Sequence, residues 1–265
     1  MAVTNGWGQG VINNSIEWGK GSTNATNGWG EIYEDSPSGD TAIEGASFTN
    51  VYSLDFDGVD DYVDCGDLSA YDNGDFSCSL WIYKTTSNDV EYIMANSGSV
   101  GRAGFDIVMD ASENITVLRN TRTADTISGF TAIGFTINTW HHVIVTYKDA
   151  TKTLKIYLDG VLKDTTIGIT STNSASIDFM IGSYNGSALF FTGNIDEVAI
   201  FNAELSSSDV TDIYNGGTPQ SLDSYSSLIS WWRFEEGSGT TATDSGSGGN
   251  NGTITNGATY STDKP

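Results

Sequence analysis

The sequence predicts an all-β protein, a two-sheet antiparallel sandwich with one short helix and an extended N-terminal arm, and three observations carry that prediction. From Phe48 onward, apolar and polar residues alternate with period two in one run after another. Glycine, Asn, Asp and Ser clusters separate the runs, and 31 glycines stand against three prolines, which suits many short strands joined by tight turns. One stretch, from Ser206 to Tyr214, has helical spacing.

The arm comes first. Trp7, Trp18 and Trp29 are each followed by glycine and recur every eleven residues. Eleven residues are too few for a core, yet each indole carries on the order of 150–250 Å² of mostly apolar surface. The three tryptophans are expected either to lie across the sandwich or to dock on another protein or another copy of the chain. Residues 34–47 read as a linker, so residues 1–45 are taken as an anchoring arm and 46–265 as the sandwich.

The strands follow in order. Ser53-Leu54-Asp55-Phe56 and Tyr62-Val63 flank the turn Asp57-Gly58-Val59-Asp60-Asp61. Phe76 to Tyr83 is next, with Cys78 on the face of Phe76 and Leu80. Cys78 is read as a small core residue, with a disulfide to Cys65 as the alternative. Phe105–Met109 and Ile115–Arg119 form a hairpin. In the hairpin from Trp140 to Leu162, Val143, Val145 and Tyr147 alternate opposite Leu154, Ile156 and Leu158. Asp159-Gly160 supplies a second tight turn there. Phe179–Gly182 and Ile195–Phe201 complete the series. Ser206 with Asp209 three residues on forms a capping pattern, Val210, Ile213 and Tyr214 give the helix an apolar face, and Gly216-Gly217 is expected to end it.

Eleven basic against 34 acidic residues give a net charge of −23. Such a surface repels phosphate backbones and anionic membranes, so nucleic-acid and membrane partners are not expected. No apolar run approaches the roughly 20 residues of a membrane span. The first residues lack the basic and apolar regions of a signal peptide.

Four stretches resemble one family in the order it uses. These are Ser53 to Val63, Phe76 to Trp81, Trp140-His141-His142-Val143 with Leu158-Asp159-Gly160, and Gly193-Asn194-Ile195-Asp196-Glu197-Val198 continuing to Ser206. Together they resemble the concanavalin A-like, laminin G-like jelly roll. The segment from Leu228 to Gly237, continuing through Asp244-Ser245-Gly246 to Asn250-Asn251-Gly252-Thr253-Ile254, resembles what usually precedes the Phe-Asp-Gly strand in cellular members. Here it follows, a circular permutation, and Ile229–Phe234 is expected to pair next to the opening strand. The permuted order with a Gly-Trp-Gly start looks like virion proteins of tailed bacteriophages. The resemblance therefore implies a capsid decoration, head fibre or tail appendage, assembled in the host cytoplasm and displayed on the virion surface. Other virion proteins, host glycans and a homotrimer are the expected partners. The alternative is a stand-alone carbohydrate-binding module or cell-surface adhesin.

The resembling modules often hold one structural calcium (Ca2+). Asp57, Asp60 and Asp61 with Asp196 are its candidate ligands, set against simple Asx-turns at Asp57 and Asp60. A sugar platform needs an aromatic face beside Asp or Asn, and Tyr184, Asn185 and Trp232 are its candidates, with Tyr92, Phe190 and Phe191 of suitable type. Catalysis is not expected. Glycosidases on this fold place two carboxylates across the substrate, commonly in an E-x-D-x-x-E strand, and that pattern is missing. Asp196-Glu197 and Glu235-Glu236 are neighbours, which alternation sends to opposite faces. His141 and His142 are read as strand-edge residues by the same geometry.

Overall fold

The structure, a computed structural model, describes residues 24–26, 32–34, 48–68, 74–85, 89–96, 104–121, 124–129, 135–169 and 178–265. The chain divides into two compact units, 1–48 and 49–265. In the first, β1 (Asn24–Thr26) pairs antiparallel with β2 (Ile32–Glu34), a ladder the sequence did not announce. Trp7, Trp18 and Trp29 lie outside the described residues.

The second unit runs β3 (Ser53–Asp57), β4 (Tyr62–Asp67), β5 (Phe76–Lys84), β6 (Glu91–Ala95), β7 (Gly104–Met109), β8 (Ile115–Thr121) and β9 (Ala124–Gly129). Then come β10 (Trp140–Lys148), β11 (Thr153–Leu158), β12 (Val161–Ile167), β13 (Asp178–Ile181) and β14 (Thr192–Phe201). Helix α1 (Ser207–Tyr214) precedes β15 (Leu228–Trp232), β16 (Thr241–Ala242), β17 (Gly252–Thr255) and β18 (Thr259–Ser261). Among the described residues these form two antiparallel eight-stranded sheets. One is ordered β12-β11-β10-β5-β14-β3-β18, with β15 also on β14; the other is β16-β17-β4-β13-β6-β7-β8-β9. This is the predicted two-sheet sandwich with one helix.

Alternation fills the space between the sheets. Phe76, Cys78, Leu80 and Ile82 of β5 join Val143, Val145 and Tyr147 of β10 in one core with Val63, Cys65, Phe179 and Ile181 from the other sheet. Phe76 stacks on Phe105 at 4.5 Å between ring centroids. Cys65 and Cys78 are both buried free thiols, one on β4 and one on β5, so the disulfide alternative falls. Burial pushes the Cys78 thiol up to about 12, which keeps it a neutral core group.

The helix starts as its sequence says. Asp209 N donates to Ser206 Oγ (3.2 Å), and Ser206 N donates to Asp209 Oδ2 (2.7 Å). Its left-handed cap is Asn215, at φ 46°, one residue before the expected Gly216-Gly217. Asparagine tolerates that conformation, so the glycines continue the turn and do not begin it. The strand-edge reading of the histidines is corrected. β10 is interior, between β5 and β11, and both His141 and His142 are buried.

The tail strand is also placed differently. β15 pairs with β14 through Val198–Phe201, while β3 pairs with the same strand through Thr192–Ile195. β15 and β3 thus run end to end along β14 and are not hydrogen-bonded to each other there. The two segments meet where Val51 N (2.8 Å) and Tyr52 N (3.1 Å) donate to Glu235 Oε1. Ser53 Oγ donates to Asp263 O at 2.5 Å, so the C-terminal end of the chain lies against the first strand of the sandwich. No helix among the described residues is long and apolar enough to cross a membrane.

Candidate functional site

A short hairpin within the β13–β14 connection, closed by the Tyr184–Ala188 bridge, carries a half-buried aromatic cluster. Asn185 (φ 53°) and Gly186 (φ 62°) both take left-handed backbone, and Ser187 N donates to Tyr184 O (3.2 Å). That is the geometry an Asn-Gly pair prefers in a tight hairpin turn, so the dipeptide is itself the sequence signal for this turn. Tyr184 N closes the hairpin on Ala188 O (2.9 Å), and Tyr92 N donates to Leu189 O (2.8 Å). The Tyr92 and Tyr184 rings lie 4.9 Å apart at 52°. A Cβ added at Gly186 would sit 3.0 Å from the Tyr62 ring, so the turn rests on a third tyrosine. All three tyrosines are half-buried, and Asn185 is exposed.

A buried ion pair fixes the base of this hairpin. Lys84 Nζ lies 2.6 Å from Glu91 Oε2, and both side chains are withdrawn from water. Glu91 also accepts from Thr192 N (3.0 Å) and Thr192 Oγ1 (3.2 Å), the first residue of β14. Lys84 Nζ stands 5.5 Å from the centre of the Phe191 ring. A carboxylate with three donors and an ammonium over an aromatic face make a satisfied group, which holds the chain on both sides of Tyr92 and Tyr184 in place.

The sugar-platform prediction therefore splits. Tyr184 and Asn185 come together with Tyr92 and Tyr62. Trp232 is corrected: it is 0% exposed, stacks on Phe179 at 5.6 Å and 14°, and donates from Nε1 to Asn250 O (2.8 Å). Adjacent tryptophans on a strand face opposite ways, and alternation alone did not say which of Trp231 and Trp232 faces the core. Phe191 is also core, and its ring packs edge-on against Phe56.

The candidate cation ligands split too. Oxygens of Asp57, Asp60 and Asp61 lie within 4.8 Å of one another in the β3–β4 turn. Asp57 Oδ1 accepts from Val59 N (2.8 Å), an Asx-turn, and Asp61 Oδ2 accepts from Asp57 N (3.0 Å). Asp61 is 2% exposed, and its Oδ1 is buried with no hydrogen-bond partner. Burial, then the charges of Asp57, Asp60 and Asp55, raises the Asp61 carboxyl above its usual range, with the Asp57 N–H opposing them. Asp196 is outside this group. Thr192 is opposite Asp57, which puts Asp196 four residues further along β14, roughly 13 Å at the usual rise per strand residue.

Asp196 belongs to a second acidic cluster. Its Oδ2 accepts from Asn50 Nδ2 (2.9 Å), and its Oδ1 from Glu197 N (2.9 Å). Glu197 has φ 50° at a bulge in the β14–β5 ladder, so strict alternation fails here. Its carboxylate takes Trp231 Nε1 (2.6 Å) and faces Arg233 Nε (3.4 Å). Burial still pushes the Glu197 carboxyl up to about 8, outweighing the Arg233 charge, and raises Asp196 as well. Glu236 Oε1 accepts from Thr243 N (2.7 Å), and its Oε2 from Tyr260 Oη (3.1 Å). Asp196, Glu197 and Glu235 hold the junction of β14, β15 and the segment leading into β3, and Glu236 ties the following loop to β18.

The family model described as the concanavalin A-like lectin/glucanases superfamily matches residues 57–211. The chain belongs to that superfamily. Its matched span holds the Asp57–Asp61 turn, the Tyr92–Tyr184 surface and the Asp196-Glu197 bulge. Among solved structures, a candidate carbohydrate-binding protein from Bacteroides ovatus ATCC 8483 is similar at 16% identity and a TM-score of 0.59, over 81% of this chain and 60% of that one. The chain thus spans about three-fifths of the length of that relative. The Ruminococcus gnavus IT-sialidase CBM40 bound to α2,3-sialyllactose is similar at 13% identity and a TM-score of 0.49, over 63% and 100% of the two chains. The native heptameric SAP-like pentraxin from Limulus polyphemus is similar at 13% identity and a TM-score of 0.48, over 64% and 86%. At 16% identity the likeness to the Bacteroides ovatus protein is one of fold. No curated protein matches the chain.

Proposed function

We propose that this superfamily member is a non-enzymatic carbohydrate-binding module that acts through the surface of Tyr62, Tyr92, Tyr184 and Asn185. The observation that carries the reading is a half-buried tyrosine cluster beside the exposed Asn185 amide, held by the Lys84–Glu91–Thr192 anchor. Aromatic faces cover the apolar side of a sugar ring, and an amide serves its hydroxyls as both donor and acceptor. Asp196 and Glu197 are buried, and Glu235 and Glu236 are spent on backbone and phenol donors, which supports binding without bond cleavage. A glycan array followed by calorimetry tests it. Tyr184→Ala should lower affinity at least tenfold, about 1.4 kcal/mol, with an unchanged circular dichroism spectrum. A variant that binds as wild type does, or a wild type that binds no glycan, would overturn the proposal.

The reading extends to where the module is shown. The module sits on a bacteriophage particle as a capsid decoration, head fibre or tail appendage, anchored by residues 1–45 through Trp7, Trp18 and Trp29, with a trimer and host glycans as partners. The permuted strand order and the Gly-Trp-Gly repeat support this. Deleting residues 1–45 should abolish incorporation into particles and leave glycan binding intact; a truncated chain that still incorporates defeats the anchoring role.

The same reading includes one structural calcium. Asp57, Asp60 and Asp61 fit a hard cation, because their oxygens converge and Asp61 Oδ1 is buried without a donor. Calcium held there would neutralise three converging carboxylates and fix the β3–β4 turn.

A further inference from the structure

The end of α1 and the loop behind it border an open cavity of about 540 Å³, lined among others by Asp212, Asn215, Gln220, Ser221, Ser224 and Tyr225. Small-ligand sites run to about 300–1,000 Å³, so it is large enough for one or two sugar rings. It lies away from the tyrosine surface: α1 packs on β5 and β10 of one sheet, through Tyr214 on Trp81 and His142, whereas the Tyr184 hairpin extends β13 of the other.

The walls are set before a ligand arrives. The Tyr225 ring is packed edge-on against Phe201 of β14, at 5.9 Å and 78°. Tyr225 N donates to Leu222 O, and Leu228 N donates to Tyr225 O, each at 3.0 Å. Gln220 Nε2 donates to Asp212 O, and Asn215 Nδ2 donates to Thr218 O (3.2 Å). Both amides thus spend donors on the backbone and keep their oxygens as acceptors. The Asp212 carboxylate adds a charged acceptor. Burial, then the charges of Asp209 and Asp212, raises the Tyr225 phenol, so it stays protonated and can donate.

That inventory selects a ligand class. No Lys, Arg or His lines the cavity, so phosphate, sulfate and sialic acid carboxylate have no counter-charge there. One carboxylate is too few for a divalent cation, which takes six to eight oxygens and several charges. Ser221 Oγ donates to Asp223 Oδ2 and Thr211 Oγ1 to Ser207 O, so Ser224 and Tyr225 are the hydroxyl donors that remain. Acceptors in excess, these two donors and one aromatic wall complement a neutral polyol. We infer that this cavity is a second saccharide site, specific for neutral, hydroxyl-rich sugars. The inference rests on the carbohydrate-binding reading and adds a site to it.

The test is an NMR titration of the full isotope-labelled chain with glucose, galactose, mannose and N-acetylglucosamine, each to about 10 mM, enough to near-saturate a site of Kd about 1 mM. Wild type, Asp212→Ala, Ser224→Trp and Tyr184→Ala are compared. At least one sugar should shift resonances of residues 211–225 saturably, with the response lost in Asp212→Ala and Ser224→Trp and kept in Tyr184→Ala. Shifts confined to the Tyr92–Tyr184 surface overturn the second site and leave the first standing. Shifts at 211–225 that survive both cavity variants also overturn it, as does a response there to calcium chloride and to none of the sugars. No shift at either surface with any sugar overturns this inference, while the glycan array still decides the first site.

Discussion

His142 sits beside its cross-strand neighbour Trp81, 4.6 Å between ring centroids, and Tyr214 of α1 covers both, 5.9 Å from the imidazole and 6.0 Å from the indole; His142 Nε2 is 2.8 Å from Ser79 Oγ. Its Nδ1 is buried without a partner. Burial pushes the imidazole down to about 3, against the weaker opposing pull of Asp159. An ordinary histidine titrates near 6.5, so between about pH 6.5 and 3 the unfolded chain takes up a proton that the folded chain refuses. Stability is therefore complete above that window and falls as pH falls through it, by at most about 1.4 kcal/mol per pH unit from this group. Urea midpoints at pH 7 and pH 5 should differ in the wild type and differ less in His142→Phe. An equal difference in both proteins would show that other groups carry the acid sensitivity. The same ring shows what a sequence leaves open. Histidine at this position alternates as an outward residue should, and only the helix packed above it turns outward into buried.

Among elements, the β3–β4 turn is the one whose chemistry a single ion would change. Gly58 has φ 78°, and a Cβ there would sit 2.0 Å from Thr192 Oγ1, so the turn needs glycine where it meets the neighbouring strand β14. Of the three converging carboxylates, Asp57 and Asp60 face solvent and Asp61 is buried, so Asp61 is the one whose charge water screens least. Calcium at 100 times its Kd would add about 2.7 kcal/mol of stability, a rise of several degrees in Tm. Asp61→Asn should remove that calcium response, and since it also removes a charge from the cluster, its Tm without calcium should equal or exceed that of the wild type. Identical calcium responses in the two proteins would rule out this turn as the site. The turn was legible in the residues because three aspartates within five positions must converge wherever the chain reverses. Asp196 was not, because its distance from the turn depends on the register of β14 against β3.

At the scale of the molecule, the end-to-end placement of β15 and β3 on β14 makes one interrupted strand from residues far apart in the chain. Near the C-terminal end, Asp263 accepts from Ser53 Oγ, which brings residues 263 and 53 together across the sequence. A chain of residues 49–265 with Pro265 joined to Thr49 by a short linker, and new ends between Gly217 and Thr218, should fold with a cooperative urea transition and the same circular dichroism spectrum. Loss of the cooperative transition would mean that the existing order of the strands, and not their packing alone, is required.

Alternation, turn residues and the Ser206–Asp209 cap determined the β-class, the β7–β8 and β10–β12 hairpins, and the helix start, because each depends on contacts within a few residues of chain. The tertiary structure decided the rest. It set Trp232 inside, gathered Tyr62, Tyr92 and Tyr184 around one turn, shaped an open cavity behind the helix, and separated Asp196 from the acidic turn. Each of those outcomes depends on which strands become neighbours and which layer covers a face. A local pattern constrains a side chain to one face of its own strand, and the long-range pairing determines what that face meets.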